Sequence, residues 1–131
     1  MISFRFLVVL LSGLLLVGCG RTNIASVKGK VIENGQPRTF EANQAAVQLT
    51  LVAENGELDN IHAYTAVVEA DGSFEVVASG GEVKVGKYQV AIIYRGNDPK
   101  YEALYAPGSQ LRREIKGGPN EIMIDLAKPQ G

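Results

Sequence analysis

The chain holds a single cysteine, and that residue has the most legible chemistry. Leu16-Val17-Gly18-Cys19 is a long apolar residue, two smaller ones and a thiol. A cysteine sulfur is the side-chain nucleophile suited to joining a diacylglycerol through a thioether. The small Gly18 lets a peptidase approach the bond before Cys19. The pattern therefore predicts cleavage between Gly18 and Cys19, with lipid carried on Cys19. The other candidates are weaker. His62 is the one histidine, with Asp59 and Asn60 just before it. A Ser-His-Asp constellation needs a histidine held by a carboxylate beside a nucleophile, and His62 reads as a surface residue in a loop. Glu69, Asp71, Ser73 and Glu75 alternate, and Glu54, Glu57 and Asp59 cluster loosely. Calcium takes about six to eight oxygen ligands, and no loop here completes such a set. No metal or cofactor is expected. Tyr101 and Tyr105, with Arg112 and Arg113 and with Lys84, Lys87 and Lys116 as a basic rim, form a candidate binding loop. Tyrosines with polar neighbours suit sugar or peptide contacts. The competing reading of Leu111–Lys116 is an edge strand whose charges block sheet-to-sheet aggregation.

The segment before Cys19 supports the lipid reading. Arg5 supplies a positive start, and residues 6–17 are apolar apart from Ser12 and Gly13. That run falls short of the roughly 20 residues a membrane span needs, and it fits a secretory signal. Residues 1–18 are thus expected to be a signal helix, and 19–25 a short lipidated tether. One acyl chain binds a bilayer only marginally, at about 0.8 kcal/mol per buried CH₂, so two or three chains are needed for lasting attachment. Gly20, in place of an aspartate, favours the outer over the inner membrane. The expected location is the cell envelope, with the domain in the periplasm or outside the cell.

Removing residues 1–18 leaves 113, enough for one small domain with one core. Hydrophobic residues make up 46% and charged residues 21%, which is a globular composition. Thirteen basic and fourteen acidic residues nearly cancel, so nothing electrostatic points to nucleic acid. With no second cysteine, the mature domain has no internal disulfide and no thiolate metal site. Its stability must come from apolar packing.

The elements that must position these residues are strands. Period-two alternation marks Val27–Ile32, Val47–Val52, His62–Ala70, Ser73–Val77, Lys87–Arg95, Leu111–Lys116 and Glu121–Leu126. Asn34-Gly35, Asn55-Gly56, Gly96-Asn97-Asp98-Pro99 and Gly117-Gly118-Pro119-Asn120 read as turns. Asp71-Gly72 joins two alternating runs directly and reads as a hairpin with positive φ at both positions. Lys87–Arg95, apolar on much of both faces, is expected to be a central strand. The prediction is an all-β, seven-stranded Greek-key sandwich over residues 26–127, with a fraying tail at 128–131.

The order of the motifs resembles the bacterial transthyretin-like lipoproteins, related in fold to the carboxypeptidase regulatory-like domain. Val27-Lys28-Gly29-Lys30-Val31 followed by Asn34-Gly35-Gln36-Pro37 matches the opening of that family. Val47-Gln48-Leu49 stands at its second strand. Ala70-Asp71-Gly72-Ser73-Phe74, Val85-Gly86-Lys87-Tyr88-Gln89-Val90 and Lys116-Gly117-Gly118-Pro119-Asn120 match its later turns and strands. The stretch Tyr105–Leu111 is shorter than in the family and lacks its Asp-Pro. The resemblance implies a transthyretin-like or immunoglobulin-like sandwich, in which Gly29 would allow close strand packing or a bulge and Phe74 and Tyr88 would fill the core. It does not bring the related hydrolase site, which uses several histidines and a C-terminal Tyr-Arg-Gly-Ser. Here Tyr94-Arg95-Gly96-Asn97 lies mid-chain.

The expected function is non-enzymatic: a lipid-anchored module of the envelope, structural or protein-binding. The alternative is a carbohydrate- or peptide-binding module using Tyr101–Leu111. A hydrolase is disfavoured. The expected partners are the membrane, through Cys19, and an envelope protein or glycan. Oligomeric state is left open.

Overall fold

A computed structural model describes residues 24–78, 80–105 and 108–129. The expected signal helix, the cleavage site at Gly18 and the lipid site at Cys19 lie outside the described residues. The strands are β1 (Ser26–Glu33), β2 (Gln36–Pro37), β3 (Ala45–Val52), β4 (Leu58–Val67), β5 (Ser73–Val76), β6 (Gly86–Tyr94), β7 (Arg112–Ile115) and β8 (Pro119–Asp125). Strands make up 50% of the structure, in two packed sheets of an all-β sandwich. The seven expected strands are present, and the two-residue β2 adds to them.

In the first sheet β1 is the hub. It pairs antiparallel with β2 and β5 and parallel with β8. The second sheet runs β4-β3-β6-β7, all antiparallel. The chain crosses between sheets after β2, β4, β5 and β7. Alternation places Val27 and Val31 of β1, Val47 and Leu49 of β3, Tyr88, Val90 and Ile92 of β6, and Ile122 and Ile124 of β8 in the core. β6 is interior to its sheet, and part of its outer face is covered too: Gln89 and Ala91 are as buried as their inward neighbours, while Ile93 beyond them is exposed. Burial holds the Tyr88 phenol well above its ordinary pKa.

Three turns that look alike in sequence behave differently. Asn34 (φ 51°) and Gly35 (φ 77°) both take left-handed backbone and join Glu33 to Gln36 as a tight hairpin. At Asp71-Gly72 only Gly72 has positive φ, at 85°. The Gly72 N–H donates to Glu69 O (2.9 Å) and the Glu69 N–H to Ser73 O (2.7 Å), the pattern of a three-residue loop with a glycine bulge. β4 and β5 then diverge into different sheets, so the expected ladder hairpin is instead a corner. Docking explains this. Gly72 O accepts from Val31 N (2.8 Å), and a Cβ on Gly72 would lie 2.6 Å from Arg38 O. The Asn55-Gly56 turn repeats these loop hydrogen bonds, with Gly56 N–H bonded to Ala53 O and Ala53 N–H to Glu57 O, but β3 and β4 stay paired beyond it, so there the loop closes a hairpin.

β4 begins at Leu58, four residues before the expected start. Its register slips: Thr50 faces Ala63, but Leu51 faces Asp59, so residues 60–62 bulge from the edge. Polar Asp59 and Asn60 disguise this part of the strand as loop. Ala25, expected in the tether, is buried, and its carbonyl accepts from Val83 N at 3.3 Å. In the expected tail, Lys128 N–H donates to Asp125 O (3.0 Å), while residues 130–131 lie outside the described part.

Asn120 fastens the start of β8. Its Oδ1 accepts from Lys116 N (2.9 Å), and its Nδ2 donates to Lys116 O (2.8 Å), Gly118 O (3.0 Å) and Ser26 O (3.1 Å). One amide thus closes the β7–β8 turn and ties it to β1. Asn120→Ala is expected to cost about 2 kcal/mol, since several backbone groups lose a partner together. The urea midpoint of unfolding reads this, and an unchanged midpoint would mean water replaces the amide freely.

Candidate functional site

The predicted binding loop sends Tyr101, Leu104, Ser109 and Leu111 into the interior. Pro99–Leu104 forms a 3-10 helix, capped where Asp98 Oδ1 accepts from Lys100 N at 3.1 Å. Pro99 suits the first helical turn because its missing N–H would have no partner there. The helix turns Tyr101 and Leu104 inward, leaving Tyr101 0% exposed. Its ring stacks on Tyr94 at a centroid distance of 3.9 Å and tilts against Phe40 at 6.4 Å. Tyr101 is therefore not the exposed aromatic platform expected from sequence. Tyr105 is half-buried, and its hydroxyl donates to Tyr94 O at 3.3 Å.

The segment after this helix is stapled to β6. Ser109 is buried. Its Oγ donates to Val90 O (2.6 Å), and its carbonyl accepts from Gln89 Nε2 (3.1 Å) and Arg112 (2.8 Å). Arg112 also reaches Leu111 O, and Arg113 reaches Arg112 O. Both arginines thus have backbone partners. They sit on β7, the outer strand of its sheet, where charge hinders pairing with another sheet. Lys87 lies opposite Glu114. Lys84 and Lys116 stand in the loops at the same end of the sandwich.

Sequence reading missed Arg38. It emerges from the short β2 and reaches Tyr101 Oη (3.3 Å), Asp98 (3.6 Å) and Glu33 (3.8 Å). Lys100 Nζ bonds the same Glu33 at 2.8 Å. The Tyr101 bond, then the two carboxylates, raise the Arg38 pKa, while burial dominates in raising that of Tyr101. The Arg38 Nε is buried with no hydrogen-bond partner among the described residues. No motif signals this cluster, because its members come from two stretches, 33–38 and 98–101, that lie far apart in the chain.

His62 is held by a carboxylate, as a general base would be. Its Nδ1 lies 2.9 Å from Asp59 Oδ2 across the β4 bulge, and Asp59 Oδ1 accepts from Ile61 N at 3.0 Å. The His62 contact is the main cause that lowers the Asp59 pKa. So the structure joins a pair that looked like loop residues. Asp59 orients the ring through Nδ1. Asp59 is the imidazole's only hydrogen-bond partner among the described residues, so no hydroxyl nucleophile completes a triad. Nearby, Tyr64 Oη accepts from Lys84 N (3.2 Å) and Tyr88 Oη donates to Lys84 O. A cleft of about 620 Å³ lined by Leu51, Glu54, Asp59, Lys84 and Lys87 opens at this end of the second sheet.

Of the acidic candidates, Asp71 serves a turn. Asp71 Oδ1 accepts from Ser73 N (3.0 Å) and Oγ (2.6 Å), which lowers the Asp71 pKa. Among the described residues, no group of three histidine, cysteine or acidic side chains converges as metal ligands. No helix among the described residues is long and apolar enough to cross a membrane. No family model matches the chain, and no curated protein matches it.

Proposed function

We propose that the chain is a lipid-anchored β-sandwich of the bacterial cell envelope, non-enzymatic, acting as a structural or protein-interaction module. The observation that carries the reading is Leu16-Val17-Gly18-Cys19 at the end of an apolar run, directly before a domain that folds without any other cysteine. Two features are consistent with a non-enzymatic role. The Asp59–His62 pair lacks a hydroxyl partner among the described residues. The most aromatic segment, Tyr94 to Tyr105, spends its rings on packing. That second feature also weakens the carbohydrate- or peptide-binding alternative, which would have to rely on Tyr105, Arg112 and Arg113 without Tyr101. The likeness to transthyretin-like lipoproteins rests on the motifs alone.

The test is the full precursor against Cys19→Ser in a bacterial host. The wild type is expected in the membrane fraction, with its mass raised by diacylglycerol on the mature N-terminus. Cys19→Ser is expected to stay unprocessed and without lipid. A wild type that is soluble and lipid-free would end the lipoprotein reading. Turnover of an ester or amide substrate that disappears in His62→Ala would end the non-enzymatic one.

A further inference from the structure

We infer that one end of the sandwich lies against the bilayer, with Ile24, Val77 and Val85 seated in its interfacial layer; this rests on the lipid-anchor reading of Cys19. The three side chains are large, apolar and exposed, at 51%, 79% and 53%. All three lie at the end where β1 begins. Val27 pairs with Val76, which puts Val77 beside Ser26. Val83 N–H bonds Ala25 O, which brings the strand leading through Val85 into β6 alongside Ile24. Ser26 N–H donates to Gly118 O at 3.0 Å, so the β7–β8 turn shares this end.

Chain length brings this end to the lipid. Five residue steps separate Cys19 from Ile24. Whatever their conformation, they span at most about 18 Å. A lipid on Cys19 therefore keeps Ile24 within that reach of the surface. The opposite end carries different chemistry: the Asn34-Gly35 turn beside the ion-paired Glu33, Arg38, Asp98 and Lys100. Among the described residues, the other exposed large apolar side chains are Ile61 on the β4 bulge, Val67 and Ile93 on the outer face of the second sheet, and Met123 on that of the first. The apolar tips and the tether attachment thus coincide at one end.

Charge makes a second statement about the partner. Lys84, Lys87 and Lys116 stand at this end, but so do Glu54, Glu57 and Glu82. Both signs are present, so contact is expected with neutral and anionic lipid alike. The lysine stems can lie along the surface with their ammonium groups in water. Apolar side chains seated at headgroup depth add area to a lipid anchor.

Full-length Val77→Cys, Val85→Cys and Asn34→Cys variants, made in cells and purified in lipidated form, test this in phospholipid vesicles. The introduced thiol is the only free one, because the chain's single cysteine carries the lipid. Each is labelled with a polarity-sensitive fluorophore and exposed to spin-labelled lipids that quench at headgroup depth. Blue-shifted emission and strong quenching at 77 and 85, neither at 34, in both phosphatidylcholine and phosphatidylglycerol vesicles, is the expected result. Equal quenching at the two ends, or none, overturns the docking while leaving the anchor intact. So does a probe at 77 shielded from aqueous quencher yet unreached by lipid quencher, since that means a protein covers this end. A purified protein whose mass lacks lipid removes the anchor reading and the docking with it.

Discussion

Gly29→Ala is expected to destabilise the domain by about 3 kcal/mol, at the top of the usual range for overpacking a core. Gly29 sits in the middle of β1, opposite Phe74 of β5 and Ile122 of β8. A Cβ there would lie 2.2 Å from Phe74 Cζ and 2.3 Å from Ile122 O. The ring could move if the core gave way. The carbonyl could not, because it belongs to the parallel β1–β8 ladder. Both obstacles act at once, so no single shift relieves the strain. For a domain of this size the melting temperature should fall by roughly 10–15 °C. Adding Phe74→Leu should recover part of the loss by freeing the ring side, and leave the part owed to the carbonyl. A loss below about 0.5 kcal/mol, the value of an ordinary surface change, would show that β1 and β8 can separate at little cost.

Tyr101→Ala should cost about 3–5 kcal/mol, as for other large aromatic truncations in cores. The ring is fully buried, stacks on Tyr94, and receives a hydrogen bond from Arg38. Its removal also loosens the 3-10 helix that carries Leu104 into the core. Tyr101→Phe keeps the stack and loses the hydroxyl, for about 1 kcal/mol. Urea unfolding of both variants separates the two contributions. If Tyr101 were a ligand platform, Ala would leave stability near wild type, and the structural role assigned here would fall. The phenol also makes stability depend on pH. Burial raises its pKa, with Arg38 opposing. Its contribution is therefore present below the unfolded value of about 10 and is lost as pH climbs through the folded one. Tyr101→Phe should reduce the loss of stability in alkali.

The strands were legible because alternation is local. Residues such as Val47, Leu49 and Leu51 share a face whatever lies across from them, and burial follows. The edge character of β7 was legible too, in the charges of Arg112, Arg113 and Glu114. The candidate sites were not. Tyr101 reads as a loop aromatic, because a six-residue 3-10 helix leaves no periodicity long enough to show which face turns inward. Asp59 and Asn60 read as loop because a strand edge can carry polar residues, and only pairing with β3 reveals the bulge that brings Asp59 to His62.

From sequence alone come the single thiol and the Leu16-Val17-Gly18 run before it, the absence of any second cysteine, the alternation of each strand, and the turn residues between them. Each depends on residue type and near spacing. Tertiary structure decided where the strands go. It paired β1 with β8 in parallel across almost the whole domain. It made Asn34-Gly35 a hairpin but Asp71-Gly72 a corner, because Gly72 docks between Val31 and Arg38. It gathered Glu33, Arg38, Asp98 and Tyr101 at one end. It left Ile24, Val77 and Val85 exposed at the other. These outcomes turn on contacts between residues far apart in the chain, and local pattern carries no information about them.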